Sequence, residues 1–141
     1  MSELSDAMNS LKAQLLAAYP ARKVTRDLLD YSDRPEADLK AGIYTLVAGP
    51  VNDFPNYMGR EGNFGTLHAA IVGQILVQEN NPAVPSEIED AENVLIDEIT
   101  AFTRLVLAAP IDSLLVKSLE RSRQLDYPYG YVTFNMELML S

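Results

Sequence analysis

The sequence predicts an α+β fold: a single-domain sandwich in which two main helices pack on one face of a mostly antiparallel sheet of about four to five strands. Three observations carry this expectation. Leu4, Met8, Leu11 and Leu15 recur at helical spacing, and so do Ile88, Ala91, Leu95, Ile99, Phe102 and Val106. Val132, Phe134, Met136, Leu138 and Leu140 alternate strictly, which puts all five on one face of a strand.

In chain order, the first helix is expected over residues 3 to 18, with Ser2 or Ser5 as its cap and Tyr19-Pro20 as its end. Arg22 to Asp38 reads as irregular: Val24, Leu28 and Leu29 fit either a short strand or a turn, and Asp30, Asp33, Arg34 and Pro35 break any regular pattern. A hidden strand fits there as well. Ala41 to Ala48 is rich in β-formers and is expected to stop at the turn signal Gly49-Pro50. From Gly49 to Gly65 the glycines, prolines and asparagines among Phe54, Tyr57, Met58 and Phe64 read as a long loop whose aromatics make it a contact candidate.

Thr66 to Glu79 reads as a second, longer strand with Leu67, Ala69, Ile71, Ile75 and Val77 on one face. Its other face, His68, Val72, Gln74, Leu76 and Gln78, is mixed, so a helix is expected to cover part of it. Ser86-Glu87-Ile88-Glu89 has the form of a capping box, opening a helix that Pro110 is expected to stop. Leu114 to Leu125 and Tyr129 to Leu140 then form an antiparallel pair around Asp126-Tyr127-Pro128.

With 141 residues the chain suits one domain, and 48% hydrophobic residues suffice for one core. A net charge of −9 argues against sequence-specific nucleic-acid recognition, since phosphate binders normally present a basic face. The acid is unevenly placed: no Lys or Arg occurs between Glu61 and Thr103, whereas Lys117, Arg121 and Arg123 cluster further on. There is no cysteine, so no disulfide, thiolate site or cysteine nucleophile is available. The acidic N-terminus does not read as a secretory signal, and no apolar run approaches the ~20 residues of a membrane span.

Candidate chemistry is sparse. Gly59, Gly62 and Gly65 have neither P-loop nor dinucleotide spacing, and they lead into a strand rather than a helix N-terminus. His68 is the only histidine, on the less apolar face of a strand, with no nucleophile motif around it. The acids Glu87, Glu89, Asp90, Glu92, Asp97 and Glu98 lack calcium-loop and di-metal spacings and read as a solvated face. Tyr127, Tyr129 and Tyr131 either brace the hairpin or offer contact area. No residue is assigned a catalytic, cofactor-binding or metal-ligating role.

The order helix, strand, loop, strand, helix, strand, strand, with Ser122-Arg-Gln-Leu125 leading into Pro128-Tyr-Gly-Tyr-Val132, resembles the tail terminator proteins of long-tailed phages, the minor tail protein U type. The resemblance implies a structural, non-enzymatic subunit of the virion tail or neck, assembled in the host cytoplasm. It implies a homo-oligomer, a hexameric ring when assembled and a monomer in isolation as the other expectation, which stops tail-tube elongation and offers a head-joining surface. The implied partners are further copies, the tail tube protein and a head-completion or connector protein, with no membrane. An acidic lumen would let DNA slide.

On this chain, the resemblance makes Phe54, Tyr57, Arg60 and Phe64 candidates for the tube contact. Glu87 and Asp90 of one subunit would face Lys117, Arg121 and Arg123 of the next, with Tyr127 and Tyr129 beside them. Another neck or tail-completion component is the nearest alternative. A small enzyme using His68 and acids near the 49 to 65 loop, and a generic adaptor domain, are the alternatives from other classes.

Overall fold

A sheet of five strands in the order β1-β2-β3-β5-β4 organises the chain. The computed structural model describes residues 3–52, 66–105, 107–108 and 111–140. The elements run α1 (Glu3–Ala18), β1 (Lys23–Thr25), a 3-10 turn (Tyr31–Asp33), α2 (Glu36–Ala41), β2 (Ile43–Asn52), β3 (Thr66–Leu76), α3 (Ser86–Phe102), β4 (Ile111–Arg121) and β5 (Tyr129–Leu140). β1 joins β2 in parallel and every other pairing is antiparallel, so the α+β domain carries a mixed sheet.

The core forms where the apolar faces read from the sequence meet. Met8, Leu11 and Leu15 of α1 and Ile88, Leu95, Ile99 and Phe102 of α3 close on Tyr44, Leu46, Leu67, Ile71, Val132, Phe134, Met136 and Leu138. Each fully buried aliphatic or aromatic side chain contributes roughly 1.5–3 kcal/mol over its exposed state. β5 shows the clearest alternation, its even-numbered residues buried and its odd-numbered ones half-buried from Tyr129 to Leu138.

Among the described residues, the opposite face is covered only at one end. α2 places Leu39 against Ile43 and Leu76, with Tyr31 and Tyr129 packed beside them, so a helix does cover part of the second face of β3. Tyr31 and Tyr129 stack with ring centroids 4.8 Å apart. The rest of this face carries half-buried Val47, His68, Ala70, Val72 and Asn135.

Four expectations need correction. Arg22 to Asp38 is not irregular throughout: it holds β1 and starts α2. Arg34 Nη2 donates to the Asp27 carbonyl at 2.7 Å and to Thr45 Oγ1 at 3.1 Å, tying the segment to the sheet. Gly49-Pro50 does not end β2, because a register shift between Ala48 and Val51 absorbs both residues and pairing resumes at Val51 with Leu67. A bulge accommodates such residues without closing a turn. β4 stops at Arg121, not Leu125, since Arg123 and Gln124 have φ of 55° and 65°, outside the extended region.

The fourth concerns α3. Pro85 is its N-cap and no side chain caps it, so Ser86 lies inside the first turn and the capping box does not form. Glu87 instead accepts a hydrogen bond from Asn80 Nδ2 at 2.9 Å. The helix ends at Phe102, where the Thr103 amide donates to the Ile99 and Ala101 carbonyls; Val106 and Pro110 lie outside the described residues. At the other end of the chain Ser5 is within α1 and Ser2 is outside the described residues.

Both sheet edges are blunted. β1 is three residues long, and β4, at the other edge, carries a register shift between Val116 and Ser118 that sets exposed Lys117 at its middle. Short edges, bulges and edge lysines oppose strand addition from another chain.

Candidate interaction surface

Among the described residues, a dense polar assembly sits where the β4–β5 turn meets α3. Glu92 is 0% exposed, because it falls between Ile88 and Leu95 on the apolar stripe of α3. Its Oε1 accepts from Arg121 Nε at 3.3 Å and its Oε2 from Ser122 Oγ at 2.5 Å. Arg121 Nη2 also donates to the Glu89 carbonyl at 3.0 Å, and the Gln124 amide bonds the Glu89 carboxylate. A buried carboxylate is tolerated when it is paired and bonded in this way.

Those bonds hold a turn that the backbone alone would resist. The Leu125 amide donates to the Ser122 carbonyl at 3.2 Å, closing a turn whose central residues, Arg123 and Gln124, are both left-handed. Each non-glycine residue there costs about 1–2 kcal/mol. Further along, Asp126 accepts from Tyr31 Oη at 3.2 Å and Tyr127 Oη accepts from the Asn80 amide at 3.1 Å. Gly130 completes the joint, since a Cβ there would lie 2.4 Å from Ile88 Cγ1 and 2.7 Å from Glu92 Oε2.

A second network ties the other end of α3 to three elements. Arg22 donates to both oxygens of Glu98, from Nε at 3.0 Å and Nη2 at 2.6 Å, and Tyr44 Oη donates to Glu98 at 2.9 Å. Tyr19 Oη reaches the Glu98 carbonyl at 2.7 Å, and Arg22 Nη1 the Ala41 carbonyl at 2.7 Å. Burial, and then the Glu98 charge, push the Tyr44 phenol far above its ordinary value; burial and Asp126 do the same to Tyr31. These are structural groups, enclosed and paired.

The residues singled out from the sequence are dispersed. Phe54, Tyr57, Arg60 and Phe64 lie outside the described residues. Arg121 is engaged within its own chain by Glu92 and Glu89, Tyr127 holds the Asn80 loop, and Tyr129 stacks on Tyr31. Glu87 binds Asn80. Asp90, Lys117 and Arg123 are exposed, and so remain surface groups. Glu92 leaves the solvated acidic face altogether, and Glu98 is half-buried against Arg22 and Tyr44. The spacing Ile88, Glu92, Leu95, Ile99 was the available signal for Glu92; nothing in the sequence points from Arg22 to Glu98.

His68 lines a concavity of about 290 Å³ on the uncovered sheet face, together with Val47, Pro50, Ala70, Lys117 and Asn135. No hydrogen bond or ion pair of its side chain occurs among the described residues. Among those residues there is also no group of three or more acids and histidines able to hold a metal ion, and no helix is long and apolar enough to cross a membrane. The concavity is therefore a shape feature with a mostly aliphatic lining, with no arranged set of reactive groups.

These features define an α+β domain with a rigid hairpin turn and a partly open sheet face. No protein-family model matches the chain, and no curated protein sequence matches it significantly.

Proposed function

We propose that this chain is a structural subunit of a phage tail, of the tail terminator kind, which forms a ring at the head-proximal end of the tail tube. The observation that carries the reading is the order of elements in one α+β domain, with a long strand β3 at the heart of the sheet and a paired β4–β5 hairpin after α3. The resemblance read from the sequence rests on this order without β1 and α2. Two surface features support a role in contacts between proteins: the uncovered half of the sheet face, and the braced turn that projects Leu125, which is 79% exposed.

In this role the subunit stops tube elongation and presents a surface to a head-completion protein. Its net charge of −9 suits a ring through which DNA slides. Exposed Asp90, Lys117 and Arg123 would steer approach between copies more than they hold them together, whereas Arg121 serves the fold of its own subunit.

The test is light scattering of the purified protein at micromolar and millimolar concentration, with and without preformed tail tubes. A hexamer, or assembly that appears only on tubes and blocks their further growth, supports the reading. A protein that neither binds tubes nor alters their length removes it, in favour of an adaptor or another neck component.

A further inference from the structure

The turn at Ser122 to Leu125 is unusual in what it spends on a side chain that touches little. Two consecutive non-glycine residues are held left-handed. Three side chains of the turn and strand end, Arg121, Ser122 and Gln124, are tied to Glu89 and Glu92 of α3. The residue so positioned is Leu125, 79% exposed. Strained, over-determined backbone clusters at functional contacts, and a turn whose backbone is already fixed has less ordering entropy to lose on binding.

A receptor for it lies on the same molecule but out of its own reach. The concavity of about 290 Å³ is lined by Val47, Pro50 and Ala70; a cavity of about 150 Å³ already admits benzene, so an isobutyl group fits. The turn begins at Ser122, whose amide donates to the Tyr131 carbonyl, and Tyr131 pairs with Gln74. From Gln74 back to Ala70 along β3 is about 13 Å at the usual rise. A leucine cannot span that distance, so the knob of one copy can fill only the concavity of another.

Charges of both signs are present on both surfaces. Exposed Asp126 and Arg123 flank Leu125. Lys117 lines the concavity, and Glu137 is paired across the strands with His68.

We infer that Leu125 of one copy seats in the Val47–Pro50–Ala70 concavity of the next, with Asp126 beside Lys117 and Arg123 beside Glu137. Knob and receptor are different patches, so the contact is head-to-tail and closes into a ring or extends as a filament. The inference rests on the self-assembly part of the proposed function and names the surfaces that would build it.

Two variants test it in the full chain by sedimentation from micromolar to millimolar concentration. Leu125→Asp removes the knob and keeps the receptor; Ala70→Trp fills the receptor and keeps the knob. The wild type should gain mass with concentration, and each variant alone should stay monomeric with an unchanged circular dichroism spectrum. An equimolar mixture should give a two-chain complex and nothing larger, because each variant supplies one working half. Should Ala70→Trp not fold, mixing Leu125→Cys with Ala70→Cys gives a second readout: the chain has no cysteine of its own, and oxidation should cross-link the two variants to each other in preference to themselves.

A wild type monomeric at millimolar concentration, a Leu125→Asp variant that assembles normally, or a mixture that forms neither complex nor mixed disulfide overturns the inference. A monomer that still caps tubes would do so while leaving the terminator reading intact. Head-to-tail filaments that ignore tubes would keep this contact and remove the terminator reading.

Discussion

Glu92 of α3 is wholly enclosed and accepts a 2.5 Å hydrogen bond from Ser122 at the end of β4. Removing the carboxylate leaves buried Ser122 without its acceptor and Arg121 without its ion-pair partner. Breaking a buried pair costs about 3–5 kcal/mol, and the partial exposure of Arg121, 29%, places Glu92→Ala at about 3 kcal/mol. Urea unfolding reads this as a lowered midpoint at constant m-value; a midpoint within error of the wild type would show that the turn is not held by Glu92.

Gly130→Ala tests the same joint by shape alone. A methyl group 2.4 Å from Ile88 Cγ1 must push α3 off β5, and overpacking of this kind costs about 1–3 kcal/mol. Thermal unfolding should show the loss, and in a double-mutant cycle with Ile88→Ala, which removes Cγ1 itself, the double variant should lose less than the sum of the two single losses.

Arg121 and Arg123, two residues apart, should respond oppositely to charge reversal. Arg121→Glu brings a second acid against buried Glu92 and should cost several kcal/mol, about as much as losing the pair. Arg123 is exposed, so Arg123→Glu should change stability by no more than about 0.5 kcal/mol while slowing association between copies. Equal stability losses for the two variants would contradict this assignment.

Tyr44 gives the fold a limit at high pH. Its folded pKa is raised, first by burial and then by Glu98, above the ordinary 10.0 that it regains on unfolding. The folded chain then holds a proton that the unfolded chain releases, so stability is complete below about pH 10 and falls as pH rises beyond it. Tyr31 adds to the same slope. Urea midpoints between pH 8 and 11 should decline above pH 10, and Tyr44→Phe should flatten that decline. The variant also loses the bond to Glu98 and should start about 1–2 kcal/mol lower at pH 8.

Long periodic elements were legible in the sequence, because a stripe over α1, α3, β3 or β5 reflects one face against one core. β1 and α2, three and six residues long, are too short to show a period, and their stability comes from β2 and from the pocket around Leu39. Arg34-Pro35 reads as a break and is also the entry to α2. Gly49-Pro50 reads as a turn, yet a bulge carries β2 through it. At the candidate surface the acidic run concealed two different environments: Glu92 and Glu98 are drawn in by partners distant in sequence, Ser122, Arg121 and Arg22, while Asp90 stays outside. Pairings of that kind depend on the tertiary fold, which no local pattern encodes.

The position of β5 has a consequence for the nascent chain. It follows β3 and β4 in the chain, yet it lies between them and pairs with both. Until residues 129 to 140 have been synthesised, β4 has no mate and β3 is paired on one side only, with β2, so the apolar face of β4 must wait in solution. The sheet therefore closes late, through contacts of long sequence separation, which makes folding slow by topology. During that interval the half-made chain is at its most prone to aggregate, and the bulged β4 edge that protects one side of the finished sheet does not yet exist.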